Sequence, residues 1–248
     1  MRPHRSRYWL TAAPADPAQF AAQVATVCAV YAAAPMLEAL GIHVLSTDEM
    51  TGIQALERAA PTLPMRPGHV ERREFAYLRH GTQCLIANFQ VATGKVLTPS
   101  LGPTRTEADF AAHIAQTIAA DPEAGYLFVV DRLNTHQSER LVRLVAAHEG
   151  EPHDLGVKGK AGILRSMASR AAFLSDPQRW IQFVYLPTHT SWLNQVEIWF
   201  SILVRRLLKR ASFPSTADLR ARILAFIAYA NQHATPFRWT YTGRHLMA

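Results

Sequence analysis

The run 191–210, SWLNQVEIWFSILVRRLLKR, is apolar at most positions and holds neither Gly nor Pro, which predicts a helix of several turns. Within it Asn194, Glu197, Ser201 and Arg205 recur at spacings of three and four, so a helix stacks them on one face. One carboxylate, Glu197, is therefore expected on a narrow polar seam of an otherwise buried element. A buried carboxylate needs a cation or hydrogen bonds, and Arg205 or a basic neighbour is the simplest partner.

Earlier in the chain, Phe20, Val24, Val27, Cys28 and Tyr31 repeat at helical spacing from Pro17. Pro35 is expected to break that helix, leaving a short piece over 36–40 that ends at Gly41. Ile42, Val44 and Leu45 predict a strand running into Asp48 and Glu49. Residues 51–74, with Pro61, Pro64, Pro67 and several Arg, read as a surface loop. Phe75 leads through Gly81 into QCLIANFQV, and the turn ATGK joins this run to VLTPSL as an antiparallel hairpin. Thr106, Glu107 and Asp109 open a helix over Phe110, Ile114 and Ile118 that closes at Asp121-Pro122. YLFVVD is a continuous apolar run suited to a buried central strand, ending at Asp131. A helix is expected over 134–149, with Leu141, Val142, Leu144 and Val145 inward and Gly150 as its stop. After a Gly/Lys segment and the helical stretch ILRSMASRAAFL, IQFVYLP reads as a strand ended by Pro187. A last helix from Ser215 or Thr216 places Leu219, Ile223, Phe226, Ile227 and Ala230 on one face.

This order, strand, hairpin, helix, strand, helix, strand, helix, predicts an α/β fold with a mixed five-stranded sheet flanked by helices. No repeat or low-complexity tract interrupts it. The domain is expected to run over 41–248, with 1–40 as a helical lead-in and 151–180 as a helical insertion before the last strand.

Composition narrows the class. The 248 residues are 49% hydrophobic and 18% charged, which suits a globular chain with a sizeable core. The formal net charge of +7 favours a polyanionic partner such as DNA or RNA. Cys28 and Cys84 stand alone, so a disulfide framework or zinc site is not expected. With a polar, Arg-rich start and no apolar run long enough to cross a bilayer, the sequence predicts a cytoplasmic protein without a membrane partner.

Three acids then stand out. If the hairpin packs to one side of the first strand, strands one and four become neighbours, and ligands bind beyond strand ends at such a crossing. Asp48 and Asp131 would flank that point and Glu197 would face it from the following helix. Converging carboxylates repel and shift their pKa values upward. Divalent cations relieve that cost, and magnesium keeps positions open for water and phosphate oxygens. Singly, each acid has a plainer reading: a turn cap at Asp48, the strand-to-helix acid of many α/β proteins at Asp131.

DEM at 48–50, VVDRLNTH at 129–136 and THTSWLNQVEIWF at 188–200 resemble the DDE transposases of bacterial insertion sequences, in particular the mariner-related insertion-sequence family six-thirty. The resemblance also takes in RHGT at 79–82 and RRLLKRASF at 205–213, with SWLNQVEIWF as its specific motif. It implies an RNase H-like fold and a catalytic, metal-binding triad of Asp48, Asp131 and Glu197 holding two Mg2+ or Mn2+ ions. It further implies DNA cleavage followed by strand transfer at TA targets, with transposon ends and target duplex as partners and a homodimer at synapsis. Asn134, His136 and Asn194 match secondary positions. Arg79, Lys158, Lys160, Arg205, Arg206, Lys209 and Arg210 are the candidate DNA contacts, although a helix C-terminus attracts the last four without DNA.

Three departures accompany the resemblance. Arg132 stands where the family often has Asn, and Glu197 follows Asp131 by 66 positions, about twice the usual spacing. The extra segment carries Lys158, Lys160, Arg165 and Arg170, which either grip DNA or decorate a solvated helical excursion. The family's N-terminal helix-turn-helix reader is not seen. RPHRSRYWL resembles its tail, so a truncated or split gene product is expected, with end recognition supplied by a separate polypeptide. A catalytically impaired DNA-binding remnant and an RNase H-like nuclease with another substrate are the competing readings. Asn134 reads equally as a helix cap, His136 as a solvated first-turn residue, His189 as loop, and Trp192 and Trp199 as core.

Overall fold

The computed structural model describes residues 16–150 and 154–241. The basic start at 2–10 and the first three positions of the 151–180 segment lie outside them. The chain forms α1 (Pro17–Ala39), β1 (Ile42–Arg58), β2 (Tyr77–Gln90), β3 (Val96–Gly102), α2 (Glu107–Ala120), β4 (Gly125–Val130), α3 (Glu139–His148), α4 (Met167–Leu174), β5 (Ile181–Tyr185), α5 (Gln195–Leu203) and α6 (Thr216–Gln232).

The strands make one sheet in the order β3-β2-β1-β4-β5. β2 is antiparallel to both of its neighbours, while β1, β4 and β5 run parallel. This is the RNase H-like arrangement, and it makes β1 and β4 adjacent, as the position of the hairpin predicts. Side chains of successive strand residues point to opposite faces, so the sheet feeds two cores. Val44, Leu85, Ala87 and Val129 pack with α1, α5 and α6 on one face. Leu45, Ile86, Phe128 and Val130 pack with residues of α2, α3 and α4 on the other.

Several elements depart from the sequence expectation. β1 does not end near Asp48 but continues to Arg58, paired with β2 as far as Tyr77. Residues 51–58 are thus strand, and only the tip of this two-stranded arm is loop, with Met65, Val70 and Phe75 exposed. α1 passes through Pro35 unbroken. Pro35 faces solvent while Tyr31 and Ala34 are buried beside it, so packing holds the helix together where one backbone hydrogen bond is lost. α1 is also long and apolar enough to cross a bilayer by length and composition, contrary to the expectation that no run is. Its stripe of Phe20, Val24, Val27, Tyr31 and Ala34 is spent on the core, and the Tyr31 hydroxyl donates to the Leu193 carbonyl at 2.9 Å.

The 151–180 segment is no solvated excursion. Leu164, Phe173 and Leu174 are buried in the second core. Arg170 is buried too, donating to the carbonyls of Gln137 at 2.6 Å and Leu164 at 3.0 Å, which removes it from any surface that meets DNA. Thr106 and Asp109 form the reciprocal cap that their spacing predicts for α2. At the far end of the sheet from Asp48, His43 lies between Glu38 at 3.0 Å and Asp121 at 3.1 Å. Burial opposes its charge, but these hydrogen bonds raise its pKa. The tie is therefore complete below the ordinary His value and fades as pH rises through the raised one. Wild type should out-melt His43→Gln at pH 6 by more than at pH 8, and equal gaps in thermal unfolding would count against the tie.

Candidate active site

Pairing between β1 and β4 stops at Ser46↔Val129, so the two chains separate just before Asp48 and Asp131. Asp48 lies on the face of Val44 and Ser46, beneath α5. Its Oδ1 accepts from the Glu49 amide at 2.8 Å and its Oδ2 from Asn194 Nδ2 at 2.9 Å. Burial, followed by the charges of Asp131, Glu49 and Glu197, pushes its pKa up to about 7, against the pull of the Glu49 amide.

Asp131 directly follows β4. Its Oδ1 accepts from the Leu133 amide at 2.9 Å and meets His136 Nδ1 at 2.7 Å. Burial works against its charge, but the hydrogen bond and charge of His136 hold its carboxyl below the usual range. Glu197, in the first turn of α5, is exposed. Burial and the charge of Asp131 raise its pKa, and it has no ion-pair partner among the described residues. The charges of Asp131 and Glu197 thus reach Asp48, and that of Asp131 reaches Glu197.

Other predicted positions fall differently. The helix starts at Gln195, after a tight turn over Ser191–Leu193. Asn194 consequently sits in extended backbone, turned inward and fully buried, away from the exposed face of Glu197, Ser201 and Arg205. Arg205 donates to Ser201 Oγ at 3.3 Å rather than pairing with Glu197. The polar seam is therefore an exposed face, and the expected burial of Glu197 is overturned. Trp199 is core, whereas Trp192 is 46% exposed and meets Tyr241 edge-on. His189 is an exposed loop residue at φ 63°.

Asn134 does not cap α3. It opens a separate 3-10 turn, exposed, and Ser138 caps the helix instead. His136 is not solvated but fully buried, with Nε2 at 3.2 Å from Glu49 Oε1 and Nδ1 facing Asp131. Burial lowers its pKa, yet the two carboxylates raise it to about 10, which favours the charged ring. Arg132 lies 5.7 Å over the Tyr185 ring. Arg79, Lys158, Lys160, Arg205, Arg206, Lys209 and Arg210 are all exposed. Among these, Lys158 lies within 4.0 Å of Glu107 and Glu139.

Ser46 and Glu49 are the residues that the motif reading left without a role. The Ser46 hydroxyl donates to Asn194 Oδ1 and accepts from the Val196 amide at 2.9 Å, tying the start of α5 to β1. Alternation along β1 was the available signal, since it sends Glu49 to the face opposite Asp48. Asn194→Ala strands the buried Ser46 hydroxyl and removes a donor from Asp48. It should cost about 2–3 kcal/mol of stability, read by urea unfolding, and a loss below 1 kcal/mol would show the tie to be incidental.

The donors suit a hard divalent ion: carboxylate oxygens, one of them with its pKa raised partly by its neighbours' charge. No group of three His, Cys, Asp or Glu among the described residues is gathered closely enough to enclose a metal. Magnesium, however, is commonly held by one or two carboxylates with water and phosphate oxygens completing its shell, which does not require a closed cage.

A mixed sheet of this order, with acids where its central parallel strands part, defines a nuclease-like α/β domain. The chain belongs to the DDE superfamily endonucleases, whose family model matches residues 43–220. No curated protein matches. Among solved structures, the chain is similar to the catalytic domain of Mos1 mariner transposase at 11% identity, covering 96% of this chain and 100% of that one with a TM-score of 0.48. It is similar to the Mos1 strand transfer complex at 11% identity, covering 99% and 69% with a TM-score of 0.49. It is also similar to the Mos1 mariner paired end complex with Mn at 12% identity and a TM-score of 0.48, covering 90% of this chain but only 59% of the Mos1 chain.

Proposed function

We propose that this chain is the catalytic domain of a transposase of the bacterial insertion-sequence family six-thirty, cleaving DNA and joining the freed end to a target. The observation that carries the reading is that the charges of Asp131 and Glu197 reach Asp48, and that of Asp131 reaches Glu197, where the central parallel strands of an endonuclease-family sheet part. Asp48 and Asp131 would hold two Mg2+ or Mn2+ ions, with Glu197 completing the shell from α5. Such ions supply an activated water or hydroxyl and stabilise the leaving oxygen of a phosphodiester.

The chain's own residues prepare that chemistry. Asn194 and the Glu49 amide orient Asp48, while His136 and the Leu133 amide orient Asp131. Exposed Arg205, Arg206, Lys209 and Arg210 follow Glu197 along α5 and its wider final turn over Val204–Leu208. Together with Arg79, Lys158 and Lys160 they would bind the phosphate backbone in a salt-dependent way. The partners are then transposon-end and target duplexes and a second copy at synapsis, in a cytoplasmic, nucleoid-associated protein. The catalytic unit would begin near Gly41, with 151–180 as its insertion.

The test is cleavage and joining of end-bearing duplex DNA by the purified chain with Mg2+ or Mn2+. Product from wild type and none from Asp131→Asn or Glu197→Gln is expected. Salt-sensitive DNA binding without product at any metal concentration would instead identify a remnant that binds DNA and does not cut it.

A further inference from the structure

Glu49 has no place in the proposed metal shell, because it leaves β1 on the face opposite Asp48. Its side chain is nevertheless 1% exposed, an expensive location for a carboxylate without a function. What it meets there is His136, whose Nε2 lies 3.2 Å from Glu49 Oε1 and whose Nδ1 lies 2.7 Å from Asp131 Oδ1. We propose that Glu49 is a positioning residue: through the His136 ring it fixes the Asp131 carboxylate in the orientation that metal binding requires. The inference rests on the nuclease reading above.

The geometry leaves the ring little freedom. It packs on Phe110 with centroids 4.2 Å apart, and the backbone of the same residue is held by the Tyr185 hydroxyl, which donates to the His136 carbonyl at 2.9 Å. A carboxylate faces each ring nitrogen, so the ring is held at both edges, Nε2–H by Glu49 and Nδ1–H by Asp131. A ring lacking the Glu49 acceptor is held at one edge only and is free to swing. Asp131 needs the help. It lies past the end of β4, its side chain is 47% exposed, and besides the ring only the Leu133 amide bonds its carboxylate among the described residues. Both of those bonds fall on Oδ1, which leaves Oδ2 without a hydrogen bond among the described residues. Asp48 is steadied from its own face by Asn194, whereas Asp131 is steadied from the other face, through the sheet. Partners one step removed from a metal ligand commonly matter 10- to 100-fold in metal affinity or activity.

The experiment is Mn2+ binding to the full chain, followed by electron paramagnetic resonance, for wild type, Glu49→Ala, Glu49→Gln and Asp131→Asn. Glu49→Ala should weaken binding about 10- to 100-fold. Glu49→Gln keeps an acceptor for Nε2–H and should stay within about threefold of wild type, whereas Glu49→Leu, measured alongside, keeps the bulk without the acceptor and should weaken binding as Glu49→Ala does, a loss that a simple packing role does not predict. If Asp131→Asn weakens binding while Glu49→Ala matches wild type, this inference falls and the nuclease reading survives. If wild type itself takes up no Mn2+, the nuclease reading falls and takes the inference with it. Should Glu49→Ala fail to fold, nitrogen-15 spectra of wild type decide. Two slowly exchanging ring N–H signals from His136 uphold the bridge, and fewer overturn it.

Discussion

Asp131→Asn is expected to lower metal-dependent DNA cleavage by about a thousandfold or more while leaving the protein folded. The substitution keeps the shape of the side chain. Its amide oxygen can still accept from the Leu133 amide and from His136 Nδ1, the two bonds that settle Asp131 Oδ1 in the native chain. What disappears is the negative charge that would attract a cation and that now raises the pKa of Glu197 and Asp48. His136 loses one of its two carboxylates and keeps Glu49, so its buried ring is not left without a partner. Activity and stability should therefore separate. Cleavage of labelled duplex over a Mn2+ series gives the first and thermal unfolding the second. A substituted protein that retains a tenth of wild-type activity would remove Asp131 from the catalytic set.

Asp48→Asn should have the opposite balance, with a more heat-stable metal-free protein at pH 8 that gains nothing from Mn2+. The folded pKa of Asp48 is about 7, above its ordinary 3.8. A raised carboxyl contributes stability in full below the ordinary value and loses it as pH climbs through the folded one. Between about pH 4 and pH 7 the metal-free wild type should therefore weaken through this group, and at pH 8 the whole contribution is gone. A shift of this size corresponds to roughly 2–4 kcal/mol, or several degrees of unfolding temperature for a chain of this length. Part of the gain is offset, because Asp48 accepts from both Glu49 N and Asn194 Nδ2, and an amide oxygen replaces only one of these acceptors. The check is a pair of melting curves at pH 5 and pH 8 with and without Mn2+. Equal melting of the two proteins at pH 8 would mean that neither burial nor the neighbouring acids strain the Asp48 carboxylate.

The stretches most readable from the sequence were those whose burial is dictated locally. YLFVV is apolar without interruption, and it forms the interior strand β4. The hairpin around ATGK is where its turn residues put it, with Gly94 at φ 75° and so close to Thr235 that a side chain would strike that residue's carbonyl. Asp48 and Asp131 stand where the paired strands part because two apolar runs of known polarity end in acids. Pro35 does not break α1, because the helix is held against the sheet through Tyr31 and Ala34. Residues 51–58 misled because an antiparallel partner in β2, rather than their own composition, makes them strand.

What no local pattern carried is the placement of side chains by distant partners. Asn194 and Glu197 share a helical period, yet one is buried and the other exposed, because Ser46 and Asp48 on β1 capture Asn194 just before the helix begins. His136 looks like a solvated first-turn residue until Glu49, separated from it in the chain by three strands and a helix, closes over its far nitrogen. Hydrophobic period and turn chemistry act over a few residues and are written in the chain. The pairing of charges across a sheet depends on which strands lie side by side, and that exists only once the chain has folded.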